Sequence, residues 1–141
     1  MGTLLIKHFQ KVYMAKQTLA VLSEEFTIHS LDADSGIPSS VLTSPLFFLG
    51  KTQEELSIVV PASVAVDSLD KDEHWRAMEL IGPLHLSMVG IMAQIGAVLA
   101  AAKVAIFVVS TFETDFFLVK SNKLKDAVKA LESAGYTIKS Y

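Results

Sequence analysis

Two short segments contain residue types that could recognise a small charged molecule. The first is the loop Leu84–Ile91, which precedes a helix in the predicted order of elements. Unpaired N–H groups at a helix start, together with the helix dipole, favour a carboxylate. Gly90 would let the backbone approach a ligand closely, and Ser87 offers a hydroxyl. The residues alone favour a plainer interpretation, in which Gly90 only permits the turn into the helix and close packing against a sheet.

The second segment is Thr111–Asp115, at the turn of a predicted hairpin. Asp115 could pair with an ammonium or guanidinium group, and Phe112 could cover an aliphatic stem or stack on a planar cation. In the alternative, Thr114 and Asp115 bond the turn backbone while Phe112 packs onto the core. The residues alone favour this alternative.

Other kinds of chemistry have no clear signature in the sequence. The chain has no cysteine, which excludes disulfides, thiolate metal sites and cysteine nucleophiles. Neither a phosphate-binding glycine loop nor a nucleophile elbow occurs. The four histidines lack ligand-like spacing, so we expect solvated or strand-face side chains and no metal site; they are His8, His29, His74 and His85. We therefore predict no catalytic residues, no cofactor and no enzymatic activity.

Composition also limits the partners. The chain has 141 residues, of which 51% are hydrophobic, enough for one compact unit or two small fused ones. A net charge of −3 provides no basic surface for nucleic acid. The apolar stretch Leu84–Val109 is interrupted at Lys103 and changes from helical periodicity to β-branched residues, so we expect no membrane span. Because Met1–Leu22 contains no arginine, we expect an N-terminal extension rather than a targeting segment, in a cytoplasmic protein.

Periodicity predicts a β-α-β-β-α-β order for the C-terminal half. A strand at Trp75–Ile81 is followed, after the loop, by a helix with one wide apolar face that ends at Lys103. The elements that follow are a hairpin of strands Val104–Val109 and Phe116–Lys120, a helix capped by Ser121 or Asn122, a left-handed Gly135 and a closing strand Tyr136–Tyr141.

The N-terminal half is predicted to be a reduced version of the same unit. An offset of 59 residues aligns its hairpin with the later one, so that Phe48 meets Phe107 and Thr52 meets Thr111, which indicates an internal duplication. The charged segment Asp67–Glu73 is predicted to be a linker. The predicted elements of this half are strands at Leu19–Leu22, Phe26–Leu31, Leu46–Gly50 and Glu55–Val60, with one helical turn from Ile37 to Thr43.

Several of these motifs resemble a known family. Gly82-Pro83-Leu84 with Gly90 downstream, and the run Val109–Val119, are similar to the signature of the ACT domains in CASTOR-type arginine sensors. Thr52–Val60 resembles the first-domain hairpin of that family, and Asp32–Pro38 resembles its opening turn.

The resemblance implies an α+β protein of two fused ACT-like units, each ferredoxin-like (βαββαβ), with antiparallel sheets and helices packed on one face. The implied division is an N-terminal extension at 1–18, a reduced unit at 19–70 and a full unit at 71–141. In such proteins, amino acids bind between ACT domains, with the loop before a helix holding the α-groups and a Thr-Phe-x-x-Asp hairpin closing on the side chain. The implied ligand-binding residues are Ser87, Met88, Val89, Gly90, Ile91, Thr111, Phe112 and Asp115.

The predicted function is therefore a non-catalytic regulatory module whose ligand is a free amino acid. A homodimer is expected, because ACT-type sheets have an exposed edge, and a regulatory protein partner is an open option. One alternative is a module that keeps the fold for a structural or protein-interaction role without a ligand. Another is a small enzyme, or the detached regulatory subunit of an amino-acid metabolic enzyme.

Overall fold

The computed structural model of the chain describes residues 16–82 and 89–140. Its strands form one seven-stranded sheet, accompanied by three α-helices and one 3₁₀ turn. The strands are β1 (Thr18–Asp32), β2 (Phe48–Lys51), β3 (Glu55–Pro61), β4 (Asp70–Gly82), β5 (Phe107–Ser110), β6 (Asp115–Lys120) and β7 (Thr137–Ser140). The helices are α1 (Ser39–Leu42), α2 (Ile91–Ala101) and α3 (Leu124–Ser133), and the 3₁₀ turn is Ser121–Lys123. Within these residues, no helix is long and apolar enough to cross a membrane.

The two longest strands, β1 and β4, lie at the centre of the sheet and pair with each other. The order across the sheet is β2-β3-β1-β4-β6-β5. β7 lies parallel to the first four residues of β1, while β3 is antiparallel to its second half. Because β4 pairs along one edge of β1, β3 and β7 share the other edge, one after the other.

One long strand replaces two predicted strands near the N-terminus. The predicted strands Leu19–Leu22 and Phe26–Leu31 are both parts of β1, whose pairing with β4 is irregular between Val21 and Glu25. The predicted extension at 1–18 lies mostly outside the described residues, and its last residue is the first of β1.

The prediction of a linker at Asp67–Glu73 is wrong. Residues 70–73 belong to β4, and Asp70, Lys71 and Asp72 pair with the second half of β1. The sheet therefore continues through both halves of the chain. The boundary between the predicted units falls at the start of this shared strand, and the division into two units stays a prediction.

The β-α-β-β-α-β order predicted for the C-terminal half is confirmed with changed boundaries. α2 ends at Ala101, and Lys103 has a φ of +60°. The amide of Val104 donates to the carbonyl of Leu99 at 2.9 Å, so Val104 closes the helix end. The strand predicted to begin at Val104 begins only at Phe107.

The two ends of α3 differ in how well the sequence predicts them. Gly135 has the expected left-handed conformation, with a φ of +101°. The predicted cap by Ser121 or Asn122 is wrong, because neither the 3₁₀ turn nor α3 has a side-chain cap. The hydroxyl of Ser121 donates instead to the carboxylate of Glu25 at 2.5 Å.

α2 and α3 pack on the same face of the sheet. Alternate residues of β1, β4 and β6 point at these helices, because successive side chains of a strand face opposite sides. The main buried side chains of this cluster are Leu19, Val21, Met78, Leu80, Ile95, Leu99, Phe117, Val119, Ala127 and Leu131. Burial of these apolar groups supplies most of the stabilisation of the C-terminal half.

The opposite face of the sheet is buried without a helix. Trp75, Ala77 and Leu118 join side chains from β1 and β3 in a second buried cluster. The rings of Phe48 on β2 and Phe116 on β6 make an edge contact with centroids 5.1 Å apart. Three strands separate β2 from β6 in the sheet order. The sheet must therefore curl so that the helix-free faces near its two ends meet.

The two hairpins have the same register at an offset of 59 residues. β2 pairs with β3 as β5 pairs with β6 once 59 is added to each residue number. Their turns match as well. The amide of Thr52 donates to the carbonyl of Glu55 at 2.9 Å, and that of Thr111 donates to the carbonyl of Thr114 at 2.8 Å. The alignment that indicates a duplication therefore has a counterpart in the backbone hydrogen bonds.

Replacing Gly96 by alanine is expected to raise the free energy of unfolding by about 0.5–1 kcal/mol. Gly96 lies inside α2, and a Cβ there would meet only Ile106 Cδ1, at an ordinary contact distance of 3.9 Å. Alanine therefore gains helix propensity without a clash. Urea denaturation measures the change, and a destabilised Gly96→Ala protein would contradict this packing of α2.

Acid should destabilise the protein through His29, which is only 4% exposed. Burial, and secondarily the charge of Lys71, lower the pKa of His29 below its ordinary value of 6.5, although Glu73 opposes this. The folded state thus favours neutral imidazole. This contribution to stability is present above pH 6.5 and is lost as pH falls through the lowered pKa. Between about pH 7 and 5, the free energy of unfolding measured by urea denaturation should fall less for His29→Gln than for the wild-type protein. An equal fall in both proteins would rule out His29 as the cause.

Candidate functional site

The start of α2 provides backbone donors at an exposed position. The first helical bond is donated by Gln94 to the carbonyl of Gly90 at 2.9 Å, so the amides of residues 91–93 have no partner within the helix. α2 has no side-chain cap at this end. Val89 is 86% exposed, whereas Ile91 packs against the core. Such a helix start can accept a carboxylate from a ligand.

Gly90 is required for its backbone conformation rather than for close packing. Its φ is +73°, in the left-handed region that residues with a side chain rarely adopt. Within residues 16–82 and 89–140, no atom lies within 4 Å of a Cβ added at this position. The expectation of close packing against the strands of the sheet is therefore wrong.

The hairpin turn is held by its two threonines. The hydroxyl of Thr111 accepts from the amide of Thr114 at 3.2 Å, in addition to the backbone bond between the same residues. Phe112, between them, is fully exposed. The alternative in which Phe112 packs onto the core is wrong. The turn backbone is bonded by the side chain of Thr111 and not, as that alternative had it, by those of Thr114 and Asp115, which bond Leu80 and Ser110.

Asp115 lies at the first position of β6 and is partly buried. The hydroxyl of Ser110, its partner across the hairpin, donates to Asp115 Oδ1 at 2.6 Å. Among the described residues, Asp115 Oδ2 has no hydrogen-bond partner and the carboxylate has no ion pair. The hydrogen bond from Ser110 holds the carboxylate in place and leaves one oxygen for a cationic group.

A hydrogen bond connects the hairpin turn to β4. The hydroxyl of Thr114 donates to the carbonyl of Leu80 at 2.6 Å, two residues before β4 ends. The turn Thr111–Asp115 therefore lies beside the end of β4, the strand that precedes α2 in the chain. Ser87 and Met88, the other predicted site residues, lie outside the described residues.

The described residues of this arrangement offer groups that can bind a ligand. They offer backbone donors at residues 91–93, one carboxylate at Asp115 and an exposed ring at Phe112. No group of three or more metal-ligating side chains occurs in residues 16–82 and 89–140. Of the four histidines, His74 is exposed and His29 is buried on a strand, while His8 and His85 fall outside the described ranges. The predicted absence of enzymatic activity stays a prediction.

Two residues that organise the site are not among the ligand-binding residues predicted from the sequence. Ser110 holds Asp115, and Thr114 connects the turn to β4. The spacing of Thr111 and Thr114 is a detectable signal, because threonine hydroxyls commonly bond a turn backbone. The bond to Leu80 joins residues far apart in the sequence, and no local pattern predicts it.

An ACT domain is found in the chain, since residues 70–133 match the model of the ACT domain family. The matched range runs from the first residue of β4 to the end of α3, and so contains the β-α-β-β-α part of the C-terminal half. The predicted ACT-like fold is confirmed for this range. The more specific resemblance to tandem CASTOR-type sensors stays a prediction. No curated protein matches the sequence.

Solved structures share the fold over nearly the whole chain. A crystal structure of a protein from Agobacterium tumefaciens has a TM-score of 0.83 at 28% identity, covering 89% of this chain and 94% of that one. A Vibrio cholerae protein of unknown function, described as a possible transport protein, has a TM-score of 0.69 at 18% identity, covering 92% and 98%. The regulatory subunit of aspartate kinase from Thermus flavus has a TM-score of 0.60 at 12% identity, covering 85% and 98%.

Proposed function

We propose that the chain is a non-catalytic regulatory module that binds a free amino acid at the start of α2 and the turn Thr111–Asp115. The observation that carries the proposal is the hydrogen bond from Thr114 to Leu80, which holds the turn beside the end of β4, the strand that precedes α2 in the chain. The ACT domain match and the fold shared with the aspartate kinase regulatory subunit support a regulatory, ligand-binding role.

The α-carboxylate and the side chain of a cationic amino acid each have a partner in this arrangement. The unpaired amides at the start of α2 favour the α-carboxylate. The free oxygen of Asp115 can accept a hydrogen bond from a cationic side chain, and the exposed Phe112 can cover its aliphatic part. Ser87 and Met88 are included in the proposed site because their segment resembles the ligand-binding loop of the CASTOR-type ACT domains.

The surface beside the site favours a second copy of the chain as partner. α2 contains no charged residue, although Ala93, Ala97 and Ala100 face solvent. The one exposed polar side chain of α2 is Gln94, which accepts a hydrogen bond from Lys16 at 3.4 Å. A helix with so little polar surface is normally covered. β5 is an end strand of the sheet, and Val108 on it is partly exposed. Pairing of two such surfaces across a two-fold axis would cover the exposed apolar side chains of both copies.

The chain is therefore expected to form a homodimer through α2 and β5. Ala97→Glu would place a charge in the apolar contact and should shift the protein to monomer in sedimentation experiments. Lys129→Glu, on the exposed surface of α3, is the matched control and should remain dimeric. A wild-type protein that is monomeric at micromolar concentration would contradict this prediction.

A thermal-shift screen against free amino acids, including arginine, tests the proposed function. A ligand that binds only the folded state raises the melting temperature as its concentration passes the dissociation constant. We expect such a rise for at least one amino acid. A flat response to all of them would favour the ligand-free interaction module, and turnover of any of them would favour an enzyme. The cytoplasmic location stays a prediction.

A further inference from the structure

His29 is a buried titratable side chain on β1 that the α2 site does not use. It is 4% exposed, and its Nδ1 lies 2.8 Å from the hydroxyl oxygen of Ser68. The other ring nitrogen, Nε2, is buried as well and has no hydrogen-bond partner within residues 16–82 and 89–140. The ring therefore has one polar contact, and that contact is made to the segment between β3 and β4.

Protonation of this ring would leave a charged N–H group buried without an acceptor. A neutral imidazole has one N–H donor, whereas an imidazolium has two. The Nδ1–H of an imidazolium can donate to Ser68, but its Nε2–H has no acceptor among the described residues. An unpaired charged donor away from water costs more free energy than an unpaired neutral nitrogen. His29 therefore takes up a proton readily only in a conformation that lets water reach the ring.

The charged groups around the ring do not remove this cost. His29 lies opposite Ile58 on β3, which has no charge, and opposite Lys71 on β4. The charge of Lys71 opposes protonation and that of Glu73 favours it, and these two side chains pair with each other at 3.2 Å. Asp67, in the segment between β3 and β4, is exposed. α1 packs on the same face of the sheet and contains no charged residue.

Residues 65–69, the cover segment, are the part of this region that can move off the ring most easily. β1 is held on both sides of His29, because it pairs with β3 along one edge and with β4 along the other. The cover segment has one backbone hydrogen bond to the sheet, from the amide of Leu69 to the carbonyl of Ser30 at 3.0 Å. A segment with so few backbone bonds opens at a lower free energy than the paired strands.

Two side-chain hydrogen bonds and one apolar contact complete the attachment of the cover segment. The hydroxyl of Ser40 on α1 donates to the carbonyl of Ala65 at 2.8 Å, and the second bond is the contact between Ser68 and His29. Val66 packs against a buried apolar cluster, which consists of Leu31, Val41, Leu56, Ile58 and Val60. Movement of the segment would therefore expose part of this cluster together with the imidazole.

We propose that the cover segment is a proton-controlled lid. When His29 takes up a proton, the segment moves off the ring so that the charge reaches water, and the side chains beneath Val66 become accessible while the sheet stays folded. Because the open form binds one proton more than the closed form, the ratio of open to closed rises by up to about tenfold for each pH unit below 6.5, the ordinary pKa of histidine. No residue of the α2 site takes part, so the proposal does not rest on the function assigned there.

Hydrogen exchange of the Leu69 amide measures this opening, because its hydrogen bond to Ser30 breaks when the cover segment leaves. After correction for the pH dependence of an unstructured peptide, the protection of this amide should fall by up to about tenfold per unit between about pH 6.5 and 5. Low concentrations of urea should leave its exchange nearly unchanged, because local opening exposes little surface. Exchange of the β6 amides, which requires unfolding of the core, should respond strongly to urea.

Two pairs of variants separate the roles of the ring and of its partner. His29→Gln should remove the pH dependence at Leu69, whereas His74→Gln, which replaces an exposed histidine, should keep it. Ser68→Ala removes the bond to the ring and should lower the protection of Leu69 by about two- to tenfold at neutral pH. Ser63→Ala changes an exposed serine outside the cover segment and should leave the protection unchanged. The serine pair keeps the test decisive if His29→Gln does not fold.

The proposal is wrong if the corrected protection of Leu69 in the wild-type protein does not change with pH, or if a folded His29→Gln protein keeps the pH dependence. It is also wrong if exchange at Leu69 and at the β6 amides is equally sensitive to urea, because acid would then act only through global unfolding. Unchanged protection in Ser68→Ala would show that the contact with the ring does not hold the segment, and would overturn the proposal as well.

Discussion

Replacing Phe117 by alanine is expected to lower the free energy of unfolding by about 3–5 kcal/mol. Phe117 is fully buried on β6, in the cluster that joins the sheet to α2 and α3. Truncation would leave a cavity among closely packed side chains of the sheet and both helices, and these cannot collapse without moving a helix. Urea denaturation, with the slope of the transition compared between proteins, measures the loss.

Phe112→Ala is the matched control, since it removes the same ring from the same hairpin. Phe112 is fully exposed, so its loss should change stability by no more than about 0.5 kcal/mol. Similar costs for the two substitutions would mean that the hairpin register is wrong. A one-residue slip would exchange the inward and outward faces of β6.

Asp115→Ala is expected to weaken binding of a cationic amino acid by roughly tenfold to a thousandfold, because it leaves the ligand's charge without its partner. Glu113→Ala, in the same turn, removes an exposed carboxylate that the proposed site does not use. Glu113→Ala should therefore change the affinity for the cationic amino acid only slightly. Isothermal titration calorimetry of both variants with the amino acid found by the thermal-shift screen gives the comparison.

The affinity for a small neutral amino acid should change differently in these variants, because its binding would depend on the start of α2 more than on Asp115. Gly90→Val should weaken it, since a β-branched residue is strained at a φ of +73° and the helix start would be displaced. Binding unchanged by both Gly90→Val and Asp115→Ala would place the site elsewhere. Both segments would then have only the structural roles described for the turn and the helix start.

The C-terminal half is the part of the fold that local sequence patterns predict best. α2 and β6 have strong periodicity, and Gly135 marks the end of α3. The errors in the predicted ends of helices and strands have local causes. Val104 looks like a strand residue, but the left-handed Lys103 turns its amide back onto α2.

The linker prediction failed because strand formation at 70–73 depends on a partner. These residues are charged and exposed, which is typical of a loop. Their backbone pairs with β1, and this pairing makes them the start of β4. Contacts between residues far apart in the sequence also limit what can be predicted about the functional residues. The bond from Thr114 to Leu80 spans 34 residues and that from Ser121 to Glu25 spans 96, so only the folded chain shows them.

An amide NMR titration of the assigned protein, with the amino acid that stabilises it most, tests directly where that ligand binds. We expect the largest chemical-shift changes on residues 89–91 and 111–115, the start of α2 and the hairpin turn. Changes confined to other residues, with these two segments unaffected, would contradict this expectation.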